Sequence, residues 1–195
     1  MTAKAVAEAN TNIALVKYWG KNDEEFNLPA VPSLSLTLEG LRTRTEVALD
    51  PQLPTDRLLL NDTDVGGEPL AKVSRHLDRM AAYLGLSQRP RATVRTDNNF
   101  PTAAGLASSA SAFAALSVAA AGALRPGFVL DNDARAALSI LARQGSGSAA
   151  RSLYGGVVVL GTLVGVAAFG ERLSGLNRVA IGAAIVSISL IALTR

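Results

Sequence analysis

The run ASSASAFAALSVAAAGAL, Ala107 to Leu124, most constrains how this chain folds, because it carries no charge and is small or apolar almost throughout. Phe113 and Leu116 recur three apart, and a helix apolar on every side belongs inside a domain. Gly122 and then Pro126 mark its expected end. In front of it stands PTAAGLASSAS, Pro101 to Ser111, a helix start rich in Gly, Ala and Ser. First-turn N–H groups are unsatisfied, the helix dipole is positive there, and small residues let a phosphate come close. Ser108, Ser109 and Ser111 add hydroxyl donors. No Gly-Lys-Ser/Thr follows the glycine, which excludes a Walker loop. The same loop equally suits a tight packing site.

The rest reads as strands and helices around that element. Ala5 to Ala9 is expected as a short strand, and a polar NTN then leads into NIALVKYWGK, where Lys17 and Lys21 flank Tyr18 and Trp19. These lysines suit a phosphate ligand or simply a solvated surface around a packed Trp. Ser33 to Leu38 and Thr43 to Leu49 both alternate and predict an antiparallel pair, with Arg57 to Leu60 a third strand closed by the turn-rich NDTDVGG. Pro69 to Leu84 predicts an amphipathic helix with Val73, Leu77, Met80 and Leu84 inward and Gly85 at its end. His76 lies beside that stripe, a partly exposed structural residue rather than a catalyst. Arg91 to Thr96 is another strand, and Asp131 caps a helix running to Gln144. In GSGSAARSLYGG, Ser146, Gly147, Ser148 and Arg151 place small donors and a guanidinium within one turn, suited to an oxyanion or to a plain flexible loop.

At 195 residues there is ample length for a core. A net charge of +3 fits an enzyme of anionic metabolites, but the basic residues are scattered without aromatic interleaving, which argues against nucleic acid. The absence of cysteine and the single His76 exclude disulfides and thiolate or multi-histidine metal sites. The amino end lacks a signal-peptide core. Ser152 to Gly170 and Val179 to Thr194 are uncharged, borderline for a membrane: a 16-residue helix such as the second reaches about 24 Å against roughly 30 Å of hydrocarbon. Composition shifts near Gly156, which predicts a domain over 1–156 and an apolar two-helix tail over 157–195.

In the order NIALVKYWGK, SLSLTL, NNFPTAAGLASSAS and GSGSAARSLYGG, the chain closely resembles the mevalonate diphosphate decarboxylases of the galactokinase, homoserine kinase, mevalonate kinase and phosphomevalonate kinase superfamily. The resemblance covers about Ala5 to Gly156. It implies an α+β fold, a mostly antiparallel sheet with helices on one face, in a cytoplasmic enzyme using ATP and Mg2+. The implied reaction phosphorylates the tertiary hydroxyl of mevalonate 5-diphosphate and expels phosphate and CO2 to leave isopentenyl diphosphate. By motif, Tyr18, Lys21, Ser146, Gly147, Ser148 and Arg151 would hold the substrate's diphosphate and carboxylate ends, with Asn12 orienting it near Arg151. Lys17 and the loop of Pro101, Ala103, Ala104, Gly105, Leu106, Ala107, Ser108 and Ser109 would face the nucleotide phosphates, bridged by magnesium.

Past Gly156 that family continues with a charged sequence and a second α/β domain carrying the catalytic aspartate. No aspartate here falls in such a stretch, so no catalytic base is assigned. The run from Val157 to Arg195 instead resembles the end of a small multidrug resistance transporter, implying membrane association through the tail, although buried helices of a soluble domain fit as well. Apolar surface left open by a missing second domain would favour self-association, such as a homodimer.

Overall fold

The computed structural model describes residues 3–16, 21–23, 27–29, 33–101, 107–155 and 157–160. One sheet holds β1 (Lys4–Val16), β4 (Ser33–Leu49), β5 (Arg57–Leu60), β6 (Thr63–Asp64), β7 (Ala92–Asn98) and β8 (Val157–Leu160). Its order is β1-β4-β7-β5-β6, with β8 alongside β4, and every pairing is antiparallel except β5 with β7. A separate ribbon pairs β2 (Lys21–Asp23) with β3 (Leu28–Pro29). The helices are α1 (Gly67–Tyr83), α2 (Ser108–Leu124) and α3 (Asn132–Gly145), followed by a 3-10 turn at Ala149–Leu153.

The small-residue run is the central helix. α2 buries Ala110, Ala114, Ala115, Leu116, Ala119, Ala120, Ala121 and Ala123, and packs across β1 and β4. β1 meets it with Ala5, Ala7 and Ala9, so small faces small and the backbones come close. Gly122 does not end the helix. A Cβ placed there would lie 2.9 Å from Cβ of Ala5, so this glycine serves the close approach of helix and strand. α1 carries the expected inward stripe of Val73, Leu77 and Met80, and Gly85 follows it at φ 79°.

Three expectations about strands are corrected. Ser33 to Leu38 and Thr43 to Leu49 are not partners but halves of one strand, both paired with β1. Between Asn10↔Arg42 and Asn12↔Thr37, residues 38–41 bulge opposite Thr11, with Gly40 at φ 84°, so the apparent turn is an outward loop within a continuous strand. β1 in turn runs on through the polar NTN, because Thr11 and Asn12 are buried under later chain. Finally, Val157–Leu160 is not the start of a helix but a strand paired with Ser33–Leu36, so the sheet extends past the composition shift at Gly156. The two predicted tail helices lie in residues 161–195, outside the described residues. No helix among the described residues is long and apolar enough to cross a membrane.

His76 is fully buried rather than partly exposed, because α2 covers it. Ser117 Oγ spends its proton on the Phe113 carbonyl at 2.7 Å, so His76 Nε2 donates to Ser117 Oγ at 2.9 Å and the ring is the neutral Nε2–H form. The Phe113 ring meets it edge-on at 5.2 Å, and Nδ1 has no partner among the described residues. Burial, helped by the nearby Arg79 charge, pushes the imidazole down to about 3. The unfolded chain therefore binds a proton between pH 6.5 and 3 that the folded domain refuses. Stability from this group is complete above pH 6.5 and falls on acidification, by up to about 1.4 kcal/mol per unit. Urea midpoints between pH 7 and 5 should show this slope, and His76→Leu should flatten it; an unchanged slope in the variant would place the titration elsewhere.

Candidate functional site

Three segments remote in sequence converge at the amino end of α2. Ala107 precedes the helix in a left-handed conformation, φ 50°, and among the described residues no side chain caps the first turn. The Ala110 N–H turns back to the Ala107 carbonyl at 2.8 Å, so within the described turn it is the Ser108 and Ser109 N–H groups that are left to look outward. Ser109 Oγ lies 3.2 Å from Ser146 Oγ, the contact that joins the loop-helix motif to the GSGS motif.

α3 delivers that second motif. Asp131 accepts from the Ala134 N–H at 2.8 Å, the expected N-cap, and the helix ends at Gly145 beneath the Phe113 ring. Asn27 donates to the last carbonyls, Arg143 and Gln144, at 3.2 Å each. The chain then turns through Ser146, Gly147 and Ser148 into the 3-10 turn, closed by Ala149 N–H to the Ser146 carbonyl at 2.8 Å. Asn12 ties the turn to β1 by donating to Ser152 Oγ at 2.8 Å and to the Ser148 carbonyl at 3.3 Å. Arg151, in the same turn, is only 4% exposed. A guanidinium so desolvated interacts strongly with an anion.

Asn12, Ser146, Gly147, Ser148 and Arg151 are therefore brought together, with Ser108 and Ser109 beside them. Pro101 is exposed at the end of the β7 connection, and Lys21 lies in β2 opposite Pro29. Lys17, Tyr18, Ala103, Ala104, Gly105 and Leu106 lie outside the described residues.

Two cavities flank this junction. One, of about 490 Å³, is an apolar cleft walled by Leu58, Leu60, Val65, Val73 and Phe113, with Ser108, Ser109, Thr96 and Asn98 at its polar end. An apolar slot beside a helix start suits an aromatic base carried on a phosphate chain. The other, of about 320 Å³, is lined by Asn27, Lys72, Arg75, Arg79 and the Gln144–Gly147 segment. Sequence reasoning missed both cavities: Leu58 and Leu60 read as strand, Val65 as turn, Val73 and Phe113 as buried helix positions, and Lys72, Arg75 and Arg79 were not singled out. No group of three or more His, Asp or Glu that could hold a metal ion occurs among the described residues.

The profile of the diphosphomevalonate decarboxylase-like N-terminal domain matches residues 9–162. The diphosphomevalonate decarboxylase of Bos taurus is 44% identical over 163 residues, covering 77% of this chain and 39% of that protein. Among solved structures, the mevalonate diphosphate decarboxylase of Staphylococcus aureus superposes with a TM-score of 0.72 at 46% identity, over 80% of this chain and 45% of that one. Another, a complex with MVAPP, AMPPCP and magnesium, gives 0.72 at 41% identity over 83% of this chain and 47% of that one. The chain thus spans about two fifths of the length of the curated relatives it matches.

Proposed function

Because this chain belongs to the diphosphomevalonate decarboxylase family, we propose that it serves the ATP-dependent decarboxylation of mevalonate 5-diphosphate to isopentenyl diphosphate, contributing the nucleotide cleft and a substrate cradle. The observation that supports this reading is the contact of Ser109 with Ser146, which brings the start of α2 beside the Ser146–Ser148 turn. Phosphoryl transfer needs donor and acceptor held side by side, and positioning with electrostatics supplies most of the catalysis.

In this reading Ser108 and Ser109 receive the nucleotide phosphates, and the apolar cleft takes the base. Ser146, Gly147 and Ser148 receive the substrate's diphosphate, while Arg151 faces its carboxylate. Asn12 is a positioning residue that holds the turn in shape through Ser148 and Ser152. Lys17, Tyr18 and Lys21 belong with the phosphate ligands by motif. Magnesium, when bound, neutralises charge between the phosphates. The γ-phosphoryl group passes to the tertiary hydroxyl oxygen, whose proton is released to solvent, ADP leaves, and the C–O bond then breaks with loss of phosphate. The electrons of the C–C bond to the carboxylate form the new double bond as CO2 departs. No described residue is assigned as the base.

The test is titration of the chain with mevalonate 5-diphosphate and with AMPPCP in magnesium, alongside a coupled assay for ADP and CO2 release. Both ligands should bind. Arg151→Ala should weaken the substrate about tenfold, the loss of a charge-assisted hydrogen-bonded pair, and leave AMPPCP unchanged. Failure to bind either ligand overturns the reading.

A further inference from the structure

The inner face of the sheet changes character along β4 and β7. Val47 pairs with Val94 and Leu49 with Ala92, but the rows nearest the start of α2 are Thr45 with Thr96 and Thr43 with Asn98. Thr43, Thr45 and Ser111 are all fully buried. The strands do not need these hydroxyls, since the backbone ladder already joins them, and a buried hydroxyl is costly unless it is hydrogen-bonded. The hydroxyl of Thr43 reaches out of the sheet. Thr43 Oγ1 donates to Asn98 Oδ1 at 2.6 Å and stands 2.7 Å from Ser111 Oγ in the first turn of α2. Its single proton lies on Asn98, so Ser111 is the donor in that second contact. Ser111 Oγ is also 3.2 Å from the Ser108 carbonyl, the bond back into its own helix that a helical serine otherwise makes. The shorter contact to Thr43 takes the proton. Ser111 is therefore no ligand donor, contrary to what its place in the motif implies; it ties the turn bearing Ser108 and Ser109 to the sheet.

We propose that Thr43 is a positioning residue for the nucleotide: through Ser111 it holds the first turn of α2 at one height over the sheet, so that Ser108 and Ser109 meet the phosphates in a fixed place. The proposal rests on the functional reading above, which gives those serines to the nucleotide, and extends it to a residue set behind them on β4. The same hydroxyl holds Asn98, which stands with Ser108 and Ser109 at the polar end of the apolar cleft, so one side chain fixes two parts of that wall. Without it Ser111 returns its proton to the Ser108 carbonyl, and the turn loses its tie to the strand. Hydrogen bonds weaken steeply with distance and angle, so a small shift of the turn weakens every bond it makes to a phosphate. Thr45 is the internal comparison, because its bond to Thr96, at 2.9 Å, stays within the sheet.

The experiment is isothermal titration of the full chain with AMPPCP in magnesium and with mevalonate 5-diphosphate. The parent is compared with Thr43→Val, Thr43→Ser, Ser111→Ala and Thr45→Val, with a thermal midpoint for each. Thr43→Val and Ser111→Ala should each weaken AMPPCP by about five- to tenfold, the loss of one hydrogen bond, and leave the affinity for mevalonate 5-diphosphate unchanged. Combining the two should add nothing, because either one removes the whole link. Thr43→Ser keeps the hydroxyl and should keep the affinity. Thr45→Val should lower the midpoint as much as Thr43→Val and spare AMPPCP. AMPPCP affinity that survives Thr43→Val, or that falls as far in Thr45→Val, overturns the role and leaves the functional reading standing. Equal losses for both ligands overturn it too, as a general loosening of the domain. A parent chain that ignores AMPPCP sinks the functional reading and this role with it. If Thr43→Val fails to fold, Ser111→Ala cuts the same link from the helix side and is read against Thr45→Val in its place.

Discussion

Replacing Asp56 with alanine lowers the stability of the domain by about 3–5 kcal/mol, the expected loss when one partner of a buried ion pair is removed and the other stays charged. Asp56 and Arg89 side chains are 2% and 3% exposed. The pair is bidentate, with Arg89 Nη2 donating to Oδ2 at 2.7 Å and Nη1 to Oδ1 at 2.9 Å. The Ala92 N–H donates to the same carboxylate at 2.9 Å, and Arg89 also reaches the Ser74 carbonyl and Asp78. One cluster thus pins the entry to β5, the start of β7 and the middle of α1. Burial alone would raise the Asp56 carboxyl, but hydrogen bonds from Arg89, Ser74 and Ala92 and the Arg89 charge outweigh it, leaving the group below its ordinary value. Its contribution is complete above the ordinary carboxylate range and is lost as pH falls through the lowered value. Urea denaturation reads the loss. Asp56→Leu with Arg89→Met should recover most of it, because no uncompensated charge remains. A single variant within about 1 kcal/mol of the parent would show that water reaches the cluster and that burial is not what makes it costly to break.

Gly145→Ala should damage the fold and the site together. An added Cβ would fall inside contact distance of three Phe113 ring atoms. Either the ring turns out of its place or the end of α3 moves away, and overpacking of this kind costs about 1–3 kcal/mol. Phe113 walls the apolar cleft and meets His76 edge-on, while the residue after Gly145 is the serine that touches Ser109. Affinity for AMPPCP and for mevalonate 5-diphosphate should therefore fall together, unlike Arg151→Ala, which spares the nucleotide. Unchanged affinities with a lowered thermal midpoint would mean that the ring yields and the junction does not depend on it.

What was legible in the sequence is what neighbours in sequence decide. The α1 stripe, the Asp131 cap and the Asn61-Asp62 turn, both residues at positive φ, all depend on contacts within a few positions. The meeting of the two phosphate-suited motifs was carried by their resemblance to known proteins, not by their spacing. The misreadings share one cause. Asn12 looks like loop because Ser152, which satisfies it, is far along the chain, and Glu39-Gly40 looks like a turn because the strand that spans both halves of β4 precedes it. His76 looks half exposed until Ser117 arrives on another helix.

β4 has a consequence for how the chain is made. Its second half, Thr43 to Leu49, gains β7 soon after it is synthesised, but Ser33 to Leu36 wait for β8. At ribosomal speed the interval is on the order of ten seconds, during which one side of those four residues offers unpaired backbone to any passing strand. The ladder thus closes in the order of translation, against the direction of β4. The Ser146–Ser148 turn emerges immediately before the closing strand, so a nascent chain completes the turn after α3 in the same moment that it seals the open edge of β4.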